Sequence, residues 1–233
     1  MAPIMAPNPK LLPLVVPAAL AVLLALVSIP SVIANVFSTP FRGDVERIRH
    51  GDHMLPIELA AVARANYRAA WFFEPARHYS DSAAALLALP EGDRSALGLD
   101  AEEIVRKALA ASPASPYNWN RLAYLRARRG DRTGAYSAWE MSVLTGRYVP
   151  RLMQARLLLA FQMFPINDRV MLRMLDDQVR LTAQALPREL GYAAYKSGSE
   201  FYTRAVLWHD ADLLSAYEIG YRDARWIDIT KTK

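Results

Sequence analysis

Cysteine is absent from the 233 residues. The chain can form no disulfide, hold no Cys-ligated zinc and run no thiol chemistry. The absence leaves the compartment open, because a thiol-free chain tolerates either redox environment. Glycine is scarce, at ten residues, and almost all stand where helices are expected to end. No Gly-x-Ser-x-Gly elbow, phosphate-cradling P-loop or dinucleotide glycine motif occurs. No stretch alternates apolar and polar residues between turn signals, so strands are not expected. Charge is missing altogether from Leu11 to Phe41.

That uncharged run, LLPLVVPAALAVLLALVSIPSVIANVF, exceeds the roughly 20 apolar residues that a membrane-spanning helix needs. Pro13 and Pro17 near its start cost little in a first helical turn, and Pro30 is placed to kink its exit. Residues 1–10 form an N-terminal tail and 11–37 a transmembrane anchor. The alternative is a cleaved signal peptide, with Lys10 as a weak basic region and Val32-Ile33-Ala34 as a passable cleavage signal. The run is long for that role. Arg42, Arg47 and Arg49 follow the span and only Lys10 precedes it, which by the positive-inside rule places the C-terminal part in the cytoplasm.

Residues 38–56 read as a polar linker. From 57 to 226 the sequence predicts an all-α domain of short helices joined by links of two to eight residues, so that neighbours pack antiparallel; 227–233 form a tail. Asp100 with Glu103 makes a capping box. Ser115 before Pro116, Asp131, and Asn167 or Asp168 cap further helices. Gly130 and Gly198 end two, and PEGDRSALGLD reads as a loop.

The net charge is +5, with 28 basic residues mixed among 23 acids. A nucleic-acid binder concentrates its positive charge more tightly, so no nucleic-acid partner is expected. No cofactor, metal site or catalytic centre is expected either. His50 and His53 lack further ligands at metal spacing and read as solvated. Asp210 and Asp212, beside His209, read as a helix start rather than a site. His78 reads as a helix-surface residue. Asp176 and Asp177 point about 100° apart on a helix and cannot share a substrate.

The segment PYNWNRLAYLRARRGDRTGAYSAWEMSVLTG resembles a tetratricopeptide repeat. Trp119, Leu122 and Ala123 stand at the motif's first-helix positions, Gly130 at its turn, and Ala135, Trp139 and Ser142 at its second-helix positions. Small residues at 123, 135 and 142 let two helices approach, and the tryptophans fill the gaps beside them. Ala101, Ala108 and Pro113 fit the preceding half repeat. After Pro150 the phase puts Arg156 and Arg169 where leucine and alanine belong. More loosely, residues 99–198 resemble single-anchor helical-repeat proteins found beside bacterial exopolysaccharide or O-antigen polymerisation machinery. That resemblance implies a bitopic inner-membrane protein with a periplasmic domain, against the arginine count.

The repeat resemblance also implies a groove lined by Tyr117, Asn120, Tyr124 and Arg128. Aromatic, amide and guanidinium groups on one stripe suit peptide or sugar contact. Arg121, Arg126, Arg128, Arg129 and Arg132 suit an anionic partner, whether phospholipid head groups, an acidic polysaccharide or other anionic polymer, or an acidic protein face, or form a solvated pair of helices. Trp71-Phe72-Phe73 cannot all face one core, so at least one meets a partner chain or the bilayer surface. The expected function is a membrane-anchored scaffold or regulator of an envelope assembly, with membrane proteins and the bilayer as partners. The alternatives are an accessory subunit of a larger membrane complex and, less in keeping with the residues, an enzyme.

Overall fold

The computed structural model describes the backbone of residues 12–231 and the side chains of 17–227. The expected tail 1–10, with Lys10, lies outside the described residues, as do Leu11 and the last two residues of the C-terminal tail. Every regular element among the described residues is helical. The chain divides into two compact units, Met1–Ala111 and Ser112–Lys233.

The first unit begins with α1 (Leu12–Ser38), 27 residues that continue through both Pro17 and Pro30. At 1.5 Å per residue this helix is about 40 Å long, against about 30 Å for the hydrocarbon core of a bilayer. It is long and apolar enough to cross a membrane. From Pro17 to Ile29 every residue is exposed; beyond Pro30 burial begins, and Ala34 and Ser38 are covered. The excess length is thus packed on protein, against α3 (Pro56–Ala69).

A single 3-10 turn, Thr39–Phe41, joins α1 to α2 (Arg42–His50). This stretch lies inside the segment read as a linker. The sequence signal was weak because α2 buries only Val45. Ion pairs hold it instead: Arg47 with Asp44 at 3.1 Å, and Arg49 with both Glu46 at 2.6 Å and the buried Asp81 at 2.9 Å. Gly51, at φ 77°, closes α2 in the left-handed conformation that favours glycine.

Helix α3 starts where the Leu55 amide donates to Glu58 Oε2 at 2.8 Å. It packs antiparallel to α4 (Pro75–Ala88), which carries Asp81: Ser82 Oγ donates to the Ala63 carbonyl at 2.8 Å, and His78 lies opposite Asn66. The short α5 (Glu91–Ala96) occupies the stretch read as a loop. Its Arg94 donates to the carbonyls of Leu86 and Leu89, which end α4. Helix α6 (Ala101–Ala111) then buries Ala101, Ile104, Val105, Ala108 and Leu109, one helical stripe. It packs on α4.

The second unit opens with the hairpin of α7 (Pro116–Arg128) and α8 (Arg132–Thr145). Ser115 and Asp131 cap them, accepting from the amides of Asn118 and Gly134. Helices α9 (Pro150–Gln162) and α10 (Arg169–Ala185) follow, the latter capped by Asp168. Then come α11 (Pro187–Ser197), α12 (Glu200–Leu207) and α13 (Ala211–Lys231). The last runs on to Lys231, into the segment read as the C-terminal tail. Helices α11 and α13 cross at Gly191 and Gly220, so closely that a Cβ on Gly191 would lie 2.3 Å from the Gly220 carbonyl carbon.

His78 is a correction to its reading as a surface residue. It is 3% exposed, and its Nδ1–H donates to Asn66 Oδ1 at 3.1 Å while Asn66 Nδ2 donates to the Val62 carbonyl. Burial, and secondarily the neighbouring Arg77 charge, hold its pKa below the ordinary value. As pH falls below about 6.5, the unfolded chain therefore gains a proton that the folded imidazole resists, and stability falls. The melting temperature should drop between about pH 7.5 and 5.5, with a smaller drop in His78→Gln; equal slopes in both proteins would exclude His78 as a source. At the α11–α13 crossing, Gly220→Ala should destabilise by about 1–3 kcal/mol. Helix propensity alone predicts the opposite sign, by roughly 0.5–1 kcal/mol, so a denaturant melt distinguishes the two.

Candidate functional site

The centre of the second unit is a polar knot built around Arg156, a position where the repeat pattern calls for leucine. Arg156 is fully buried, at 0% exposure, in the middle of α9. Its Nε donates to Ser142 Oγ at 2.9 Å, one terminal nitrogen donates to the Gly146 carbonyl at 2.8 Å, and the other to the Ser142 carbonyl. Ser142 Oγ in turn donates to the Pro116 carbonyl at 2.8 Å. One guanidinium thereby ties α9 to the end of α8 and, through Ser142, to the first turn of α7.

The chemistry suits the place. The last carbonyls of a helix lack intrahelical donors and carry the negative end of its dipole. Burial lowers the Arg156 pKa to about 10, and the group stays cationic at neutral pH. Trp139, also fully buried, donates its indole N–H to the Arg156 carbonyl at 3.0 Å. The small residues expected at the hairpin seam, Ala123, Ala135 and Ser142, are all buried. Trp119 departs from the expected packing role. It is only half-buried, with its N–H donating to the Pro113 carbonyl at 2.7 Å.

Of the stripe Tyr117, Asn120, Tyr124 and Arg128, two members share a cavity. Tyr124 and Arg128 line a hollow of about 300 Å³ together with Arg132, Gln162, Met163 and Phe164. Arg132 forms its floor, donating to the carbonyls of Met163 and Pro165 beyond α9, and Tyr136 donates to the same Met163 carbonyl. Tyr117 is exposed but lies outside this lining. Asn120 is half-buried, with its Oδ1 enclosed and without a hydrogen-bond partner. The basic set is partly committed within the unit: Arg121 donates to Asn118 Oδ1, and Arg126 to the Gly134 carbonyl. Asp210 caps α13 through the Leu213 amide at 3.0 Å. Asp176 and Asp177 have separate partners, Tyr202 and Arg147.

The first unit carries a second hollow. Trp71, Phe72 and Phe73 are 68%, 42% and 43% exposed, so all three reach the surface. They lie in the turn after α3, which Glu74 closes at φ 45° before Pro75 starts α4. Phe72 stacks on Phe37 of α1, with ring centroids 6.1 Å apart. Trp71 meets Tyr67 edge-on at 5.9 Å. These rings, except Phe73, line a groove of about 480 Å³ with Arg64, Arg68, Leu97 and Leu99. Neither arginine was singled out by the sequence. The signal was the spacing of Arg64, Tyr67 and Arg68 along one face of α3, with Trp71 following in the turn.

No protein family matches the chain, and no curated protein or solved structure matches it significantly. The helices, packed in repeated neighbouring pairs, are compatible with a helical-repeat fold.

Truncating Arg156 should test the knot. Arg156→Ala leaves the Ser142 and Gly146 carbonyls without donors and opens a cavity, a loss of about 3 kcal/mol or more. Arg156→Met keeps most of the volume and removes a buried charge, so it should cost less than alanine. A methionine variant as stable as the native chain would show that the carbonyls do not depend on the guanidinium.

Proposed function

We propose that this is a single-pass membrane protein whose helical units act as a binding scaffold or regulator in a bacterial envelope assembly, with polysaccharide polymerisation or export as the pathway. The observation that carries the membrane part is the fully exposed apolar surface of α1 from Pro17 to Ile29. Thirteen consecutive exposed residues there include Leu20, Val22, Leu23, Leu24, Leu26, Val27 and Ile29, and water is a poor solvent for such a surface. The α7–α8 hairpin supports kinship with tetratricopeptide repeats, through its buried Ala123, Ala135, Trp139 and Ser142. The pathway rests on the looser resemblance over residues 99–198, which also favours a periplasmic location.

Binding is the mechanism. An anchor confines the units to a layer beside the membrane and raises their effective concentration toward membrane partners. The hollow at Tyr124 and Arg128 offers an aromatic face and a cation to a peptide or an acidic sugar. A second reading, an accessory subunit of a larger membrane complex, is favoured by the exposed Phe201, Trp208 and Trp226 in the second unit, which would be covered by neighbouring subunits.

Orientation discriminates most. A single cysteine reports without background in a chain that has none. Gly92 is the place for it: it is exposed, and nothing lies within 4 Å of an added Cβ. Gly198, at φ 66°, would strain any side chain. Gly92→Cys should react with a membrane-impermeant maleimide in intact cells, placing the units in the periplasm. Reaction only after lysis would place them in the cytoplasm and overturn the polysaccharide reading. Release of the chain from membranes by alkaline carbonate would overturn the anchor itself.

A further inference from the structure

We infer that the groove between α1 and α3 is a binding site for an anionic phospholipid of the bilayer that α1 enters, its phosphate held by Arg64 and Arg68. The inference rests on α1 being a membrane anchor and adds a specific ligand to it.

The groove stands at the level where such a lipid presents its phosphate. Phe37, which forms one wall, is the last residue but one of α1. The exposed apolar surface of α1 continues on one side past Ile29 through Val32 and Val36, 59% and 68% exposed, and so reaches the residue before Phe37. Headgroups and glycerol begin where the hydrocarbon ends. Tryptophan and tyrosine gather at that boundary because one end of each ring system is apolar and the other polar. Tyr67, Trp71 and Phe72 supply this kind of wall.

Charge selects the headgroup. Arg64 and Arg68 are one helical turn apart, so both reach the same side of α3. Both are exposed, and among the described residues neither makes an ion pair or a side-chain hydrogen bond. The nearby Lys107 is different: it sits over the Tyr67 ring at 5.6 Å but is already paired with Glu103 at 2.7 Å. No carboxylate lines the groove. Two uncommitted guanidiniums over an aromatic wall match a phosphate ester bearing an acyl chain. Planar guanidinium donors bind phosphate oxygens in pairs, and the rings cover the glycerol and upper chain. A zwitterionic headgroup would bring its ammonium against the same arginines.

The test uses the full chain in detergent, analysed by native mass spectrometry with phosphatidylglycerol and phosphatidylcholine of identical acyl chains. The native protein should retain phosphatidylglycerol preferentially. Arg64→Gln with Arg68→Gln should weaken that retention by about tenfold or more, on the scale of two surface cations. Trp71→Ala should weaken both lipids and leave the preference for the anionic one. Equal retention of the two lipids by the native chain would overturn the proposal and leave the groove to an apolar partner segment. So would a preference that survives in the double variant. Displacement of phosphatidylglycerol by inorganic phosphate alone would identify a simple anion site and also overturn it. All of these failures leave carbonate resistance unchanged, so they are separable from a failure of the anchor.

Discussion

The seam between α1 and α3 sets the geometry of the first unit. An apolar helix longer than the bilayer core has to do something with its surplus turns. Here the surplus is buried: Ala34 and Ser38 are covered, and Phe37 stacks on Phe72. The helix continues through a 3-10 turn into α2, which Arg49 fastens to Asp81 on α4. Helix α1 and the rest of the first unit are one packed body with no slack between them. Any tilt of α1 would therefore carry α3, its aromatic turn and the Arg64–Arg68 pair along with it.

The second unit depends on a different solution to the same kind of problem. Helix ends expose carbonyls that must not be buried unpaired. Arg156 answers this at the end of α8, and Arg132 does so at the end of α9. In each case a guanidinium from a neighbouring helix supplies the missing donors. A salt bridge would have required a second buried charge and its desolvation; carbonyl dipoles avoid that. The repeat pattern is thus broken at residue 156 in sequence but kept in packing, because an arginine whose donors are satisfied occupies the volume of a core residue.

The sequence was most legible where local chemistry is decisive. The all-helical class followed from periodicity, and the caps at Ser115, Asp131 and Asp168 followed from residue type. Aromatic exposure at 71–73 followed from the geometry of three consecutive rings. What escaped was whatever depended on distant partners. Helix α2 has almost no apolar stripe, because its stability lies in ion pairs to residues 81 and 58, and so it read as linker. His78 sat among polar neighbours and read as surface, whereas Asn66, twelve residues earlier, makes a buried niche for it. Of the predicted binding stripe, Tyr124 and Arg128 share a hollow, while Asn120 turns its carbonyl inward. A helical face can be counted from spacing, but its covering helices cannot.

The arginines after α1 illustrate how far a count can stand from a role. Arg42, Arg47 and Arg49 enter the positive-inside comparison as three equal charges. In the fold, Arg42 donates to Asn35 Oδ1, while Arg47 and Arg49 are each paired with carboxylates. Asp44, Glu46 and Asp81 thus offset the charges of Arg47 and Arg49 locally in the folded state. The rule counts Lys and Arg alone, and neighbouring Asp and Glu contribute little to it. After folding, the uncommitted charges beside α1 are Arg64 and Arg68, which line the groove with Phe37 and stand far enough along the chain that a count of flanking residues passes over them. The charges that would bias insertion and the charges proposed to bind a headgroup are therefore different residues.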